Sequence, residues 1–261
     1  MNRVAVVTGG SSGIGRAVAQ LLAQQGEIVY ELSRSGQNTE TVRHIDADVT
    51  DPAQVEAAMA QIAQQQGRID LLVNNAGMGI SGAIEFTPAE HAHRIFEVNF
   101  FGTFNCCKAA LPYLRKSSDP RIINMSSVAA PIAIPFQAFY SASKAAINSL
   151  TLALANEVRG FGVRVCAVMP GDAHTGFTAA RQKTVAGAEI YGAEIERAVS
   201  AMEKDEQNGM SPEKVASVVL RAANAANPRP LYTAGGKYKF FVLLAKLLPV
   251  RALNWLVGKV Y

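Results

Sequence analysis

The stretch Val4-Ala5-Val6-Val7-Thr8-Gly9-Gly10-Ser11-Ser12-Gly13-Ile14-Gly15 decides how the rest of the chain is read. Four consecutive apolar residues, three of them valine, make a short strand with no polar face, as expected of a strand buried on both sides. The glycines follow at once in the spacing G-x-x-x-G-x-G, and Ile14 to Gln25 then carries the pattern of an amphipathic helix. Such a strand-to-helix turn offers free backbone N–H groups at the positive end of a helix. With little side chain to keep a pyrophosphate away, it suits a phosphate ligand. A tight connection without a ligand has the same spacing, but its place after the first strand favours nucleotide binding. Thr8, Gly9, Ser11, Ser12, Gly13, Ile14 and Gly15 are therefore candidate cofactor contacts.

Outward from this turn the chain alternates. Ile28 to Ser33, Val42 to Val49, Leu71 to Val73, Ile122 to Asn124 and Val163 to Met169 read as strands. Ala53 to Gln65, Pro88 to Leu114 and Phe136 to Arg159 read as the helices between them. Strands joined through helices run parallel, so the pattern predicts a doubly wound α/β sheet, with a further strand at Leu231-Tyr232. No repeat or linker divides residues 1–261, which are read as one domain. The rhythm breaks between Pro170 and Ser211, and residues 172–210 are read as an insertion on the side where such sheets bind ligands.

Of the 261 residues 49% are hydrophobic and 18% charged, which excludes a disordered chain and one wholly embedded in a membrane. Met1 leads directly into the first strand without the pattern of a signal peptide, and a cytoplasmic protein is expected. Cys106, Cys107 and Cys166 lack the spacing of a disulfide framework or zinc site and read as core residues; no metal site is expected. No Asp or Glu follows Glu213, whereas eight Lys or Arg do, so the first 213 residues hold 17 basic against 21 acidic groups. The basic excess belongs to the tail, and nothing points to nucleic acid.

Several motifs in order resemble the short-chain dehydrogenase/reductase family over roughly Val4 to Thr175. They are Thr8 to Gly15, Asp48-Val49, Asn74-Asn75-Ala76-Gly77, Ser127, Tyr140-Ser141-Ala142-Ser143-Lys144, and Pro170-Gly171 with Thr175. The resemblance implies a Rossmann-type three-layer α/β/α domain that moves a hydride between nicotinamide and a carbonyl or alcohol. It places an adenine contact at Asp48 and Val49, puts Asn75, Ala76 and Gly77 beside the cofactor, and assigns the nicotinamide carboxamide to Pro170, Gly171 and Thr175. Counted from Gly26, the position where NAD enzymes carry an acid falls on Ser33, with Arg34 next. This favours NADP(H) over NAD(H), because a 2′-phosphate needs a cation. A shifted register would bring Glu31 there instead, and Ser12 stands where many NADP-using relatives have a basic residue.

Tyr140 and Lys144 are four apart and share one helix face. A free tyrosine titrates near 10, and the Lys144 ammonium, helped by an oxidised nicotinamide, is expected to lower it towards working range. Alone this pair would be unremarkable on an amphipathic helix; its company makes it a site. By the resemblance, Ser127 holds the substrate oxygen, and the Asn99 backbone carbonyl holds a water that connects Lys144 to solvent. The scattered histidines and the absence of a G-x-S-x-G elbow exclude a serine hydrolase. The alternative is a protein that binds NADP(H) as a sensor or scaffold without chemistry, but such proteins commonly lose the tyrosine or lysine.

The apolar segment Val128 to Phe139 is expected to form a pocket wall and to favour a lipophilic substrate such as a steroid or retinoid. In residues 237–261, Phe240, Leu243, Leu244, Leu247 and Leu248 form an apolar stripe flanked by Lys237, Lys239, Lys246, Arg251 and Lys259. Two roles remain open: peripheral membrane contact, or packing on the body or another subunit. This tail is similar to those of hydroxysteroid- and retinol-dehydrogenase-like relatives. Family members usually form homodimers or homotetramers through the helices expected over 88–114 and 136–159.

Overall fold

Alternate residues of each central strand go to opposite faces of the sheet, and both faces are apolar. Val4 and Val6 pack with Tyr30, Leu72 and Ile122, whereas Ala5 and Val7 pack with Val29, Val73 and Ile123. A sheet buried on both sides requires a helical layer on each. The computed structural model describes residues 2–184 and 186–260. Met1, Val185 and Tyr261, at the ends of the expected domain and within its insertion, lie outside the described residues.

The first half comprises β1 (Val4–Thr8), α1 (Gly13–Gln24), β2 (Ile28–Ser33), β3 (Val42–Asp46), α2 (Pro52–Gln66), β4 (Leu71–Asn74), β5 (Ile80–Ser81), α3 (Ala89–Phe96), α4 (Gly102–Leu114) and β6 (Arg121–Met125). The second comprises α5 (Ala138–Glu157), β7 (Arg164–Pro170), α6 (Phe177–Ala180), β8 (Gln182–Lys183), α7 (Ala188–Tyr191), α8 (Glu194–Gln207), α9 (Pro212–Asn224), β9 (Leu231–Ala234), α10 (Gly236–Leu247) and α11 (Val250–Val260). The main sheet is parallel with strand order β3-β2-β1-β4-β6-β7-β9. Helices α2, α4 and α5 cover one face, and α1 and α9 cover the other. The strand order reverses between β1 and β4, so a crevice forms outside their carboxyl ends.

Three departures from the expected pattern shape the site. The long helix over 88–114 is interrupted by a π turn at 97–101, which contains Asn99. The strand expected to reach Val49 ends at Asp46. The insertion is pinned to the loop after β4 by a parallel two-residue ladder, Ile80 to Gln182 and Ser81 to Lys183. Cys106, Cys107 and Cys166 are buried free thiols, and burial pushes the last two up to about 12.

Ionic groups gather at the opposite, amino end of the sheet. Arg3 pairs with Glu27, Arg121 and Arg164 share Asp119, and Arg68 Nε donates to Asp70 Oδ1 at 2.9 Å. Asp70 also accepts the buried Val4 N–H at 2.7 Å and the Ser117 hydroxyl at 2.5 Å. Asp70→Ala strands the Val4 donor and is expected to destabilise the fold by about 2–3 kcal/mol, read as a lower urea midpoint with unchanged slope.

Candidate active site

The glycine turn is shaped by close backbone approach. Gly9 and Gly13 have φ of +64° and +52°, which only glycine adopts readily. A Cβ on Gly15 would stand 2.1 Å from the Gly9 carbonyl oxygen, and one on Gly10 2.5 Å from Glu31 Cβ. The Thr8 hydroxyl accepts from the Asn75 and Ala76 N–H groups, both at 3.0 Å. Asn75 Nδ2 returns bonds to the Thr8 and Gly9 carbonyls at 3.1 and 3.2 Å. The turn after β1 and the Asn75-Ala76-Gly77 segment after β4 are thus one braced unit. Ser11, Ser12 and Ile14 lie along its rim, with Ser12 exposed. A cradle without side chains at a helix N-terminus fits the pyrophosphate of a dinucleotide.

The adenosine end is set by β2. Ser33 is its last residue and Arg34 beside it is exposed. Glu31 is 3% exposed beneath Gly10, where its Oε1 accepts from Ser33 Oγ at 3.2 Å and meets His44 Nδ1. The other Glu31 oxygen is buried without a partner among the described residues. Ser33, and not Glu31, therefore occupies the outward position at the end of the strand. His44 is also bonded to Asp46 at 2.9 Å; burial lowers its pKa, but the two carboxylates outweigh this and raise it. Asp48 is raised by burial, yet its bonds from Thr50 at 2.9 and 2.7 Å, with Arg94 and Arg34, leave it lowered. Val49 is buried against Gly102, where a Cβ would come within 2.7 Å of it.

At the other end, Tyr140 and Lys144 occupy the first turns of α5. Ser127, just beyond β6, stands near enough to Tyr140 to draw the phenol's pKa down and accepts the Ala129 N–H at 3.1 Å. Its neighbour Ser126 instead donates to the Lys144 carbonyl at 3.1 Å, a bond that anchors the helix. Lys144 Nζ donates to the Met125 carbonyl at 2.9 Å and lies 5.8 Å from the centre of the Tyr140 ring. The Asn99 side chain accepts the Met78 N–H at 2.8 Å and donates to the Met78 carbonyl and Ser143 Oγ, both at 3.0 Å. Its backbone carbonyl accepts the Thr103 hydroxyl at 2.8 Å. Gly77 lies between these groups: a Cβ there would be 3.2 Å from Asn99 Oδ1 and 3.6 Å from Lys144 Nζ.

The segment after β7 closes the arrangement. The Pro170 carbonyl accepts the Val128 N–H at 3.0 Å, Gly171 packs under the Tyr238 ring, and Thr175 lies against Gly13. The insertion then carries Phe177 to 5.8 Å from the Tyr140 ring, backed by the buried Arg181–Glu206 ion pair. A cleft of about 280 Å³ opens beside Thr175, lined also by Thr178, Lys183 and Glu206. In the expected wall, Ala129 is buried, Ile134 and Phe136 are half-buried, and Pro131 is exposed. Phe136 has a φ of +59°, a strained value for a bulky residue, and its ring meets Tyr191 edge-on at 6.0 Å.

Burial pushes Tyr140 up to about 12, more than Ser127 draws it down, and pushes Lys144 down to about 8. The protein alone therefore does not produce the acidified phenol expected from the helix spacing. Burial is the largest influence on the phenol, and the Lys144 ammonium directs its bond at Met125. Glu31 was expected at the site only as the alternative to Ser33, and Ser143 and Phe177 were not among the expected site residues. Ser143 had a sequence signal, being a hydroxyl one helical turn from Tyr140. Phe177 comes from a contact between distant segments.

The short chain dehydrogenase family model matches residues 3–186. The chain is 41% identical over 257 residues to a 3-ketodihydrosphingosine reductase of Bacteroides thetaiotaomicron, covering 97% of this chain and 93% of that protein. A short-chain dehydrogenase from Streptomyces avermitilis superposes with a TM-score of 0.84 at 30% identity, covering 100% of this chain and 97% of the other. ElxO, solved with NADP bound, gives a TM-score of 0.76 at 27% identity over 92% of this chain and 100% of its own. With the glycine cradle and the Tyr140–Lys144 helix at the carboxyl end of the sheet, these similarities show that the chain belongs to the short-chain dehydrogenases, as an oxidoreductase that works with a nicotinamide dinucleotide.

Proposed function

We propose that this protein is an NADP(H)-dependent reductase of a lipophilic ketone, with Tyr140 as its acid/base. The observation that carries this reading is the convergence of Tyr140, Lys144 and Ser127 beside a glycine cradle at the carboxyl ends of the central strands. When bound, the nicotinamide supplies the hydride in reduction and takes it in oxidation. Ser127 holds the substrate oxygen, and Tyr140 donates its proton to that oxygen or withdraws it in the reverse direction. Lys144 steadies the phenolate, and the Asn99 backbone lies on the route by which the proton is replaced. Pro170, Gly171 and Thr175 orient the nicotinamide; Asp48 and Val49 flank the adenine; Arg34 meets the 2′-phosphate that Ser33, lacking a charge, does not repel.

With its phenol raised, Tyr140 is held protonated at neutral pH, the form that donates to the substrate oxygen in reduction. The substrate side is bounded by residues 172–210, and its aromatic neighbours Phe177, Phe136 and Tyr191 suit an apolar molecule. The substrate named for the Bacteroides relative, 3-ketodihydrosphingosine, is a lipid ketone, which favours a lipid chain over a steroid or retinoid. Assembly through α4 and α5 suits the exposure of Phe101, Phe104 and Leu152.

Tyr140→Phe is expected to lower turnover by at least about 100-fold, the scale of general acid–base catalysis, while NADPH fluorescence titration stays unchanged. A bare binding protein would show no turnover to lose when 3-ketodihydrosphingosine, a steroid ketone and a short ketone are screened. Because Tyr140 is mostly protonated below its raised pKa, alcohol oxidation should climb about tenfold per pH unit from pH 6 to 8, with ketone reduction nearly flat; the reverse pattern removes Tyr140 as the acid. Arg34→Asp should raise the KM for NADPH at least about tenfold through loss of a charge-assisted bond and leave that for NADH nearly unchanged.

A further inference from the structure

The tail does not bury its apolar stripe. Helix α10 is held to the body by Val242 and Tyr238, whose ring covers Gly171 and whose hydroxyl donates to the Asp172 carboxylate. This orientation turns Phe240, Leu243 and Leu247 outward, with Phe240 61% and Leu247 72% exposed. Helix α11 exposes Val250, Trp255 and Val260 as well. Lys239, Lys246, Arg251 and Lys259 are exposed on the same two helices, which contain no acidic residue. The surface is therefore both apolar and cationic, beginning at the carboxyl end of β9 beside the Pro170–Thr175 segment.

We propose that α10 and α11 form a platform that lies on an anionic lipid bilayer. Charge decides between the possible occupants. A second copy docked symmetrically would set this cationic patch against itself, with no carboxylates to compensate. Anionic headgroups pair with the lysines while the aromatic and aliphatic side chains enter the acyl boundary. Neither helix crosses the bilayer: α10, with 12 residues, spans about 18 Å at 1.5 Å per residue, short of the roughly 30 Å hydrocarbon core. Among the described residues no helix is long and apolar enough to do so. The platform does not depend on which ketone is reduced, so its test needs no substrate.

The full chain with NADPH is floated with vesicles of phosphatidylcholine alone or mixed with phosphatidylglycerol. Flotation is expected only with the anionic vesicles, and should weaken at high salt. Lys239→Gln with Lys246→Gln and Arg251→Gln should lower binding at least about tenfold, and Phe240→Ser with Leu243→Ser and Leu247→Ser should abolish it. Retained NADPH binding confirms that each variant is folded, and light scattering should show an unchanged mass. Failure to float with anionic vesicles, or equal binding to phosphatidylcholine, overturns the proposal. So does a serine variant that breaks a wild-type oligomer apart, since the face then belongs to a second copy.

Discussion

The amide of Asn99 ties together three segments of the site. It accepts from and donates to Met78 in the loop after β4, donates to Ser143 on the tyrosine helix, and sits in the π turn between α3 and α4. Ser143 passes the constraint on, because its hydroxyl also donates to the Tyr140 carbonyl at 2.8 Å. At 1% exposure, any unmade bond in this network carries a full desolvation cost, so the loop, the turn and the helix take one mutual position. The placement of Tyr140 relative to the glycine cradle follows from that position.

Electrostatics at the site then follow from what is hidden. The same dry surroundings move Tyr140 and Lys144 in opposite directions, each towards its neutral form. The lysine keeps a carbonyl partner in Met125, and Ser127 beside the phenol opposes part of the rise. The adenosine end is arranged differently: its charges are either exposed, as at Arg34, or tied up locally, as in the Glu31–His44–Asp46 array.

Much of this was legible in the residues, and the limits have physical causes. The strand alternation, the cradle and the Tyr140–Lys144 face are local patterns, and all but a few ends of the expected elements match the structure. The strand at Val42 ended early because Asp48 turns the chain by bonding Thr50 instead of continuing the ladder. The two-residue pairing of β5 with β8 joins segments about a hundred residues apart and has no periodicity to read. Phe177 over Tyr140 and Glu31 beneath Gly10 are likewise tertiary contacts. The apolar stripe of the tail was visible, but its direction was not, since a helical pattern defines a face without saying what it faces.

The π turn at 97–101 bears on how this chain tolerates change in length. A widened turn accommodates one residue more than an ordinary helix, shifting the phase of everything beyond it by about 100°. Helix α3 before it packs against α5, whereas Cys106, Ala110 and Leu114 after it pack in the core with α2. The two halves of that helix are therefore geared to different neighbours, and the extra residue is the gear tooth. Removing a single residue here would rotate α4 out of mesh with the sheet, whereas the same deletion in the exposed loop at Gly36 to Glu40 would leave the layers engaged.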